Sequence, residues 1–557
     1  MVTRFLGSGC VYAVLLCLML SGGCTEKNAE RPAAEGPAFE VTVSHDGTTT
    51  TLSAKNSSAK KSLRIVSGSE NRDLEFLLED FCGKNGGAIH ITYMGSLDIM
   101  NILEGGGGNY DGVWPANSMG ISLGDTSFKV KHTASVYQTP VVFGIKKSIA
   151  DSLGFTAREV SVTDILAAIQ AGSLRFCMTS ATQSNSGACA YISFLYAFLG
   201  NPDMIRSDDL DDPALQYSVS ELLKGINRSS GSSDWLKDLF LSADYDAMVN
   251  YETLIISANK RLRDEGREVL YAVYPREGVA MADSPLGYID NGDSEKETLF
   301  KSLQEYLLSA PVQLEIQKTG RRTAFIPISN ESKGVFNAGD GIDITKTLSI
   351  VKMPDAAALE KALVLYQEKL KKPSLTFYCL DFSGSMAGTG EQQLKEAVRN
   401  LLDQDLAKKN MLAAGEHDES VFVLFDSGVR QIISVSGNDP RQLLNTYQQI
   451  NAARTGGGTD IYTPIVQCFN LMQGYTTTDY ISSIIVMTDG ESSDYSEEFS
   501  RLYKTSGMED LDVPVFSIMF GDANQAQLDG LAALTRARVF DGKTDLVAAF
   551  KNAKGYN

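Results

Sequence analysis

Two apolar segments that each end on an aspartate constrain the fold of this chain more than any other feature. The first segment reads Ser-Leu-Thr-Phe-Tyr-Cys-Leu-Asp over 374–381, and the second reads Ile-Ile-Val-Met-Thr-Asp over 484–489. Such runs of aliphatic, aromatic and β-branched residues are typical of strands buried in a parallel sheet. Helical and strand patterns alternate around them, which predicts a doubly wound α/β domain with both aspartates at the carboxyl edge of its sheet.

Three oxygen donors stand at alternate positions directly after the first strand. Asp381, Ser383 and Ser385 lie on a glycine-containing loop, where their side chains can converge. Carboxylate and hydroxyl oxygens are the hard ligands that divalent cations such as Mg²⁺ prefer. Further along, the loop at 454–460 carries three successive glycines, which let the backbone approach a ligand closely. The pattern predicts a divalent cation site.

The order of these parts resembles the metal-ion-dependent adhesion site of a von Willebrand factor type A domain. The matching positions are Asp381, Ser383, Ser385, Thr459 and Asp489. The resemblance implies a Rossmann-like domain over 373–557 that holds Mg²⁺, or Mn²⁺ or Ca²⁺ in its place. It also implies direct coordination by the two serines, with the aspartates acting directly or through water and the threonine joining in the ligand-ready state.

A protein partner would supply an acidic side chain to the open coordination position of that cation, as the resemblance implies. Asp460, which follows the threonine, would either lie behind the ligands or cap the next helix.

The N-terminus predicts an export signal over 1–24. Arg4 is followed by an apolar run from Val11 to Leu20, which is too short to cross a bilayer of about 30 Å as a helix. The small residues before Cys24 resemble a bacterial lipoprotein signal, which implies lipidation of Cys24 and a place on the extracytoplasmic side of the cell membrane. The leucine stands one position further from the cysteine than the usual pattern has it, so plain cleavage after the glycines is an alternative.

The segment 25–61 is polar and rich in small residues, including four threonines at 48–51. A segment of this composition buries too little apolar surface to offset the entropy lost on ordering. We therefore predict a flexible tether.

Strands and helices alternate again from residue 62. Their order, with short motifs such as Val-Asn-Tyr-Glu at 249–252, resembles a type II bacterial extracellular solute-binding protein over roughly 62–323. The resemblance implies a bilobal periplasmic-binding-protein-like domain over 62–345 that takes an oxyanion or small polar solute. It places the ligand between the lobes, near Ser69, Gly95, Ser96, Asn117, Ser118, Thr182, Ser184, Asn185, Ser186 and Tyr251.

The polar loop at 179–187 precedes a long apolar helix, predicted from about Ala188 to Leu199. Free backbone N–H groups and the helix dipole at such a position suit an anion or a carboxylate. Ser, Thr and Asn are also the usual helix caps, so ligand contact and capping are both open.

A helical connector is predicted over 346–372, because Leu359, Leu363, Tyr366 and Leu370 recur at helical spacing and would pack between the two domains. Of the eight cysteines, three belong to the predicted signal, so five remain and at least one is unpaired. Cys177 and Cys189 flank the polar loop, and either a disulfide or two free thiols fits that spacing. Cys379 and Cys468 are predicted to be small buried hydrophobes.

Composition and missing motifs exclude several function classes. The net charge of −19 opposes binding to nucleic acid. The sequence contains no His-Glu-x-x-His or phosphate-loop motif, which argues against an enzyme. We predict a membrane-anchored extracytoplasmic binding protein that engages a protein partner through its metal site. The alternatives are a lipoprotein that binds or senses a small solute, with the type A domain as relay, and a purely structural surface protein.

Overall fold

The computed structural model describes residues 39–46, 48–55, 61–323, 326–490, 492, 495–521, 523–543 and 546–555. The predicted signal peptide, Cys24 and the first part of the predicted tether lie outside these residues. Within the described ranges, no helix has both the length and the apolar character needed to cross a membrane.

Two lobes, each built on one sheet, form the first part of the described chain. The strands are β1 (Val41–Asp46), β2 (Thr49–Ala54), β3 (Ser62–Gly68), β4 (Ala88–Met94), β5 (Gly112–Trp114), β6 (Val130–Ser135), β7 (Thr139–Lys146), β8 (Phe176–Thr179), β9 (Ile226–Ser230), β10 (Ala247–Tyr251), β11 (Leu270–Val273), β12 (Met281–Ala282) and β13 (Pro285–Ile289). The helices are α1 (Glu75–Asn85), α2 (Ser96–Glu104), α3 (Ser118–Gly124), α4 (Lys147–Ser152), α5 (Val162–Gln170), α6 (Asn185–Phe198), α7 (Pro213–Leu223), α8 (Ser233–Ser242), α9 (Glu252–Asp264), α10 (Ser294–Leu308) and α11 (Ala310–Lys318).

The chain passes from the first lobe to the second and returns. The first sheet has the order β1-β2-β4-β3-β5-β13-β6, and the second has the order β11-β7-β10-β8-β9, with β12 paired to β7. The chain crosses from the first lobe at β7, returns at β13, and crosses once more after α11, because Phe336 belongs to a core of the second lobe. The loops that follow the parallel strands meet between the lobes, where Ser69 Oγ lies 3.0 Å from Ser232 Oγ. The bilobal α/β prediction is confirmed for this part of the chain.

A β hairpin stands where the sequence predicted part of a flexible tether. β1 pairs with β2, and β2 pairs antiparallel with β4, so both strands extend the first sheet. Leu52 is fully buried, and the hydroxyls of Thr49 and Thr92 lie 3.1 Å apart. The tether prediction is wrong for 41–54 because β-branched threonines favour strands, and an available sheet edge satisfies their backbone groups.

The predicted connector contains α12 (Ala356–Leu365), which continues as a π-helical turn over Tyr366–Leu370. Asp355 caps the helix by accepting a hydrogen bond from the backbone N–H of Ala358. The apolar stripe joins the core of the second lobe together with side chains of α6 and α7, and this core extends to Ile481. The connector is thus part of the second lobe, and only its last turn faces the C-terminal domain.

The C-terminal domain is a doubly wound α/β fold. Its elements are β14 (Ser374–Asp381), α13 (Thr389–Leu402), α14 (Gln404–Lys409), β15 (Glu419–Phe425), β16 (Val429–Ser436), α15 (Pro440–Ala452), α16 (Tyr462–Met472), β17 (Ile481–Thr488), α17 (Ser496–Thr505), β18 (Val515–Met519), α18 (Gln525–Leu534), β19 (Val539–Asp541) and α19 (Leu546–Gly555). The sheet order is β16-β15-β14-β17-β18-β19, with β16 antiparallel to the rest. Helices α13, α15 and α19 cover one face of the sheet, and α16, α17 and α18 cover the other.

All cysteines in the described part of the chain are buried free thiols, so of the two alternatives left open for Cys177 and Cys189, free thiols are the one seen. Cys177 lies on β8 and points to the face of the second sheet covered by α8 and α9. Cys189 lies on α6, which packs on the opposite face with Phe176 and Met178. Successive strand residues point to opposite faces, which separates the two sulfurs. Cys379 and Cys468 are buried with their sulfur atoms 3.5 Å apart.

The C-terminal domain docks directly on the bilobal domain. The Arg228 guanidinium of the second lobe donates to Asp512 Oδ1 at 3.0 Å and to the carbonyl oxygen of Arg536 at 3.2 Å. Helix α19 contacts both lobes, because Lys551 Nζ lies 3.0 Å from Asp98 Oδ1 and the Lys551 carbonyl accepts from Gln183 Nε2 at 2.8 Å. The C-terminal domain therefore bridges the two lobes.

Candidate functional site

The predicted metal-site residues share one edge of the C-terminal sheet. β14 and β17 are parallel neighbours in which Leu380 pairs with Met487. Asp381 ends β14, and Asp489 directly follows β17, so the two carboxylates come to the same edge. The fold brings them together although more than a hundred residues separate them in sequence, as expected for adjacent parallel strands.

Hydrogen bonds connect these residues into one group. Asp381 Oδ1 accepts from the Ser383 backbone N–H at 2.8 Å, and its Oδ2 accepts from Thr488 Oγ1 at 2.7 Å. The hydroxyls of Ser383 and Ser385 lie 3.1 Å apart, and Ser385 Oγ donates to Asp489 Oδ1 at 2.9 Å. Thr488, which the sequence analysis did not single out, orients the carboxylate of Asp381.

Thr459 completes the group from the glycine-rich loop. A Cβ atom placed on Gly490 would lie 3.1 Å from Thr459 Oγ1 and 3.4 Å from Ser385 Oγ, so both hydroxyls flank the same backbone position. Gly521 has a φ of +58° and lies against Asp489. A Cβ atom added to Gly521 would be only 2.8 Å from Asp489 Cβ. Glycine at these positions leaves room for the oxygen donors to converge.

The donor set fits a divalent cation. Burial raises the pKa of Asp381, and the charge of Asp489 raises it further, whereas its hydrogen bonds act in the opposite direction. Two carboxylates and three hydroxyls give hard oxygen ligands, and a bound cation would relieve the cost of holding the carboxylates close together. In the described ranges no group of three or more His, Cys, Asp or Glu side chains comes together, and the candidate site itself combines two carboxylates with hydroxyl groups.

Asp460 acts as a helix cap. Its Oδ1 accepts from the backbone N–H of Tyr462 at 3.0 Å, and its Oδ2 accepts from Thr463 Oγ1 at 2.6 Å. Of the two roles that the sequence left open, capping of α16 is the one seen. Beside this cap a groove of about 410 Å³ lies between α16 and α17, with Tyr495 half-exposed along it.

The residues predicted to line the solute cleft fall into three groups. Ser184, Asn185, Ser186 and Tyr251 are buried in the second lobe, where Asn185 Nδ2 donates to Tyr251 OH at 3.0 Å. Asn117 and Ser118 start α3 and hold the returning segment, through Met281 and Asp283. Ser69, Gly95 and Ser96 lie in the first lobe at the seam, where a Cβ atom on Gly95 would be only 2.4 Å from the Gln183 carbonyl oxygen.

The polar loop before α6 uses its hydroxyls in side-chain contacts. Ser184 occupies the N-cap position but makes no capping hydrogen bond, and its Oγ lies 3.2 Å from Ser233 Oγ. Ser186 Oγ lies 2.7 Å from Ser233 Oγ and 2.7 Å from Thr179 Oγ1. Thr182 turns away from the lobes and donates to Gln367 Oε1 of the connector at 3.2 Å. The predicted position of Thr182 in the cleft is therefore wrong, because the C-terminal domain and the connector cover this side of the loop.

A buried charged cluster at the seam was missed by the sequence analysis. Glu70 is buried, burial raises its pKa to about 7, and its Oε1 has no hydrogen-bond partner among the described residues. Arg321 is fully buried beside it and donates to the Glu70 carbonyl. The Arg321 guanidinium lies 5.0 Å from the ring centroid of Tyr137. These residues come from distant parts of the chain, so no local pattern marks them.

Comparison with known proteins gives two family matches. Residues 376–491 match the family of von Willebrand factor type A domains, and residues 63–322 match the family of bacterial extracellular solute-binding proteins. No curated protein matches the chain significantly.

Solved structures similar to the chain include proteins related to each part. A von Willebrand factor type A protein from Catenulispora acidiphila is 17% identical with a TM-score of 0.28, and the alignment covers 34% of this chain and 44% of that one. The sulfate-binding protein SubI from Mycobacterium tuberculosis is 15% identical with a TM-score of 0.38, covering 54% and 96%. A ferric binding protein from Campylobacter jejuni is 13% identical with a TM-score of 0.39, covering 55% and 98%.

Proposed function

We propose that this chain, which combines a bacterial extracellular solute-binding domain with a von Willebrand factor type A domain, binds a protein partner through a divalent cation. The pairing of these two families supports an extracellular binding protein, and both are families of binding or adhesion domains rather than of enzymes. The solute-binding family also implies an extracytoplasmic location. Lipidation of Cys24 would hold the protein at the membrane.

One observation carries the proposal: the five predicted donors, from three separated segments, meet at one edge of the type A sheet. Asp381, Asp489 and the hydroxyls of Ser383, Ser385 and Thr459 would hold Mg²⁺. When bound, the cation supplies a Lewis-acid position that attracts a carboxylate oxygen. Asp381 and Thr488 keep the serine loop in place, and the groove beside Asp460 offers apolar surface for the partner's flanking residues.

Binding measurements on the full chain test this proposal. Calorimetric titration of Mg²⁺ into the full chain should show saturable binding of about one ion per chain. In the presence of Mg²⁺, a short peptide with a single glutamate should bind, and the same peptide with glutamine should not. EDTA should abolish binding of the glutamate peptide. If both peptides bind equally, or if EDTA has no effect, recognition does not use a carboxylate on a cation.

The second candidate function is binding or sensing of a small polar or anionic solute, with the type A domain as relay. Two observations favour it: the charged cluster at Glu70 and Arg321 is buried between the lobes, and α19 contacts both lobes. A solute that changes the angle between the lobes would therefore change the contacts that α19 makes with them.

A thermal-shift series on the full chain tests the solute-binding candidate. A panel of small oxyanions and carboxylates should contain a compound that raises the melting temperature saturably. Tyr251→Phe removes the hydroxyl that Asn185 contacts. The variant should need at least about tenfold more ligand for the same rise in melting temperature. Tyr217→Phe is the matched control because the Tyr217 side chain is exposed. An equal response of both variants would place the solute outside the predicted cleft.

A further inference from the structure

A cavity of about 60 Å³ lies where the second lobe, the connector and the type A domain meet. Three lysines reach it from two of these parts: Lys371 and Lys372 end the connector, and Lys554 lies on α19. The second lobe contributes hydroxyl groups of Ser180 and Ser229. This interdomain cavity shares no residue with the metal site, and its lining residue Gln183 also borders the seam between the lobes.

Two of the lysine ammonium groups lie at the wall of the cavity without a described counter-ion. Lys372 is 8% exposed, and its Nζ donates to the carbonyl oxygen of Ile226 at 2.9 Å. Lys554 Nζ donates to the carbonyl oxygen of Leu412 at 2.6 Å. Both carbonyls belong to residues that line the cavity. Among the carboxylates that the structure describes, none lies within 4.0 Å of either ammonium nitrogen.

The carboxylates nearest to these lysines in the described ranges do not pair with Lys372 or Lys554, because Asp418 is taken by Lys371 and Asp479 acts on Lys372 only from beyond ion-pair distance. Asp418 accepts from Lys371 with both oxygens at 2.8 Å and from the backbone N–H of Ser374 at 2.8 Å. Three lysines and Arg175 thus face two carboxylates, Asp418 and Asp479, which leaves an excess of positive charge around the cavity. An isolated buried ammonium is costly unless it is paired.

The pKa values of the two lysines show this cost. Burial and the nearby Arg175 lower the pKa of Lys372 to about 8, with Asp479 opposing the shift. Burial also lowers the pKa of Lys554 to about 8, with Asp418 opposing the shift and Lys371 adding to it. An anion between them would favour the charged forms of both lysines.

The size and the donors of the cavity restrict the ligand. A volume of about 60 Å³ corresponds to roughly four or five water positions, which suits a small oxyanion better than an organic solute. An ammonium carries three donors, of which the carbonyl contacts described above use one on each lysine. Ser180 and Ser229 also line the cavity, so their hydroxyl groups add donors to those of the lysines.

We propose that this interdomain cavity binds a small tetrahedral oxyanion of the size of inorganic phosphate, held by Lys372 and Lys554 together with the hydroxyls of Ser180 and Ser229. Because these residues come from the second lobe, the connector and α19, a bound anion stabilises the docked arrangement of the two domains.

Inorganic phosphate is the probe for the test, with the full chain in EDTA at pH 7 and sodium chloride of equal ionic strength as reference. Phosphate should raise the melting temperature saturably, whereas chloride should not. Lys372→Met should raise the apparent dissociation constant for phosphate at least about tenfold. Lys369→Met is the matched control, because this lysine lies three residues before Lys372 in the connector and is exposed. If Lys372→Met does not fold, Lys554→Met replaces it.

Two outcomes overturn the proposal: no phosphate effect beyond that of chloride in the wild type, or an unchanged phosphate affinity in the folded lysine variants. Asp381→Ala should keep its phosphate response, because the metal site lies at another edge of the domain. Failure of the anion site is therefore distinguishable from failure of the metal site.

Discussion

Asp381→Ala should remove saturable Mg²⁺ binding from the chain, with an affinity loss of at least about a hundredfold. Asp381 is fully buried, and its two oxygens fix the Ser383 backbone and Thr488. The substitution removes a negative charge from the site and the support of the loop that carries the serine hydroxyls. Residues that only orient metal ligands typically contribute 10- to 100-fold to affinity, so a residue that also supplies charge should contribute at least as much.

Calorimetry on the full chain measures this effect against two reference variants. Asp381→Asn keeps the shape and a hydrogen-bond acceptor but removes the charge, so it separates loss of charge from collapse of the loop. Asp510→Ala is the matched control, because Asp510 is an exposed aspartate of the same domain. Retention of Mg²⁺ affinity within about threefold in both Asp381 variants would show that the cation binds elsewhere.

The metal-site group was predictable because its information is local. Each donor follows an apolar strand or lies in a glycine-rich loop, and parallel strand order brings such positions to one edge. Two apolar runs ending on Asp381 and Asp489 therefore sufficed to predict their proximity. The α/β fold of both halves was predictable for the same reason, since alternating strand and helix patterns recur along the whole chain.

The rest depends on contacts that no local pattern encodes. Threonines at 48–51 look like a tether in isolation, and they form a strand because β4 offers a free edge. Thr182 sits in a loop of ordinary polar composition, yet its partner Gln367 lies 185 residues further along. Glu70 and Arg321 meet only because the chain returns to the first lobe. Such pairings are set by tertiary packing, which periodicity and composition do not report.

One aspartate at the junction between the two domains serves three partners. Asp512 Oδ1 accepts from Arg228 Nη1 at 3.0 Å and from Arg536 Nη2 at 2.7 Å, and its Oδ2 accepts from Tyr245 OH at 2.7 Å. Burial raises the pKa of Asp512, but Arg228 and the other partners outweigh it, so the net pKa is lowered and the carboxylate is charged at neutral pH. Arg228 and Tyr245 belong to the second lobe, so this carboxylate joins the domains.

Asp512→Asn should destabilise the protein by roughly 3 kcal/mol, because it leaves the buried Arg228 guanidinium without its carboxylate. Asparagine suits the position: the φ of Asp512 is +48°, a left-handed conformation that Asn tolerates well. The backbone is therefore undisturbed, and the change isolates the charge. The expected loss lies at the lower end of the range for buried pairs, because Arg228 keeps two carbonyl acceptors, those of Asp512 and Arg536.

Denaturant unfolding measures this loss of stability at the junction itself when it is followed in a variant with one tryptophan. The chain has two tryptophans, and Trp235 lies at the interface, with its ring centroid 6.5 Å from that of Phe516. In a Trp114→Phe background, the fluorescence of Trp235 reports separation of the domains. Asp510→Asn provides the matched control, since it makes the same chemical change at an exposed site two residues away.

Equal midpoints for the Asp512 and Asp510 variants would mean that apolar contacts such as Trp235 on Phe516 hold the domains together without the ion pair. A midpoint lowered only in Asp512→Asn would show that one charge pair controls the docking of the type A domain, and hence the support that α19 gives to both lobes.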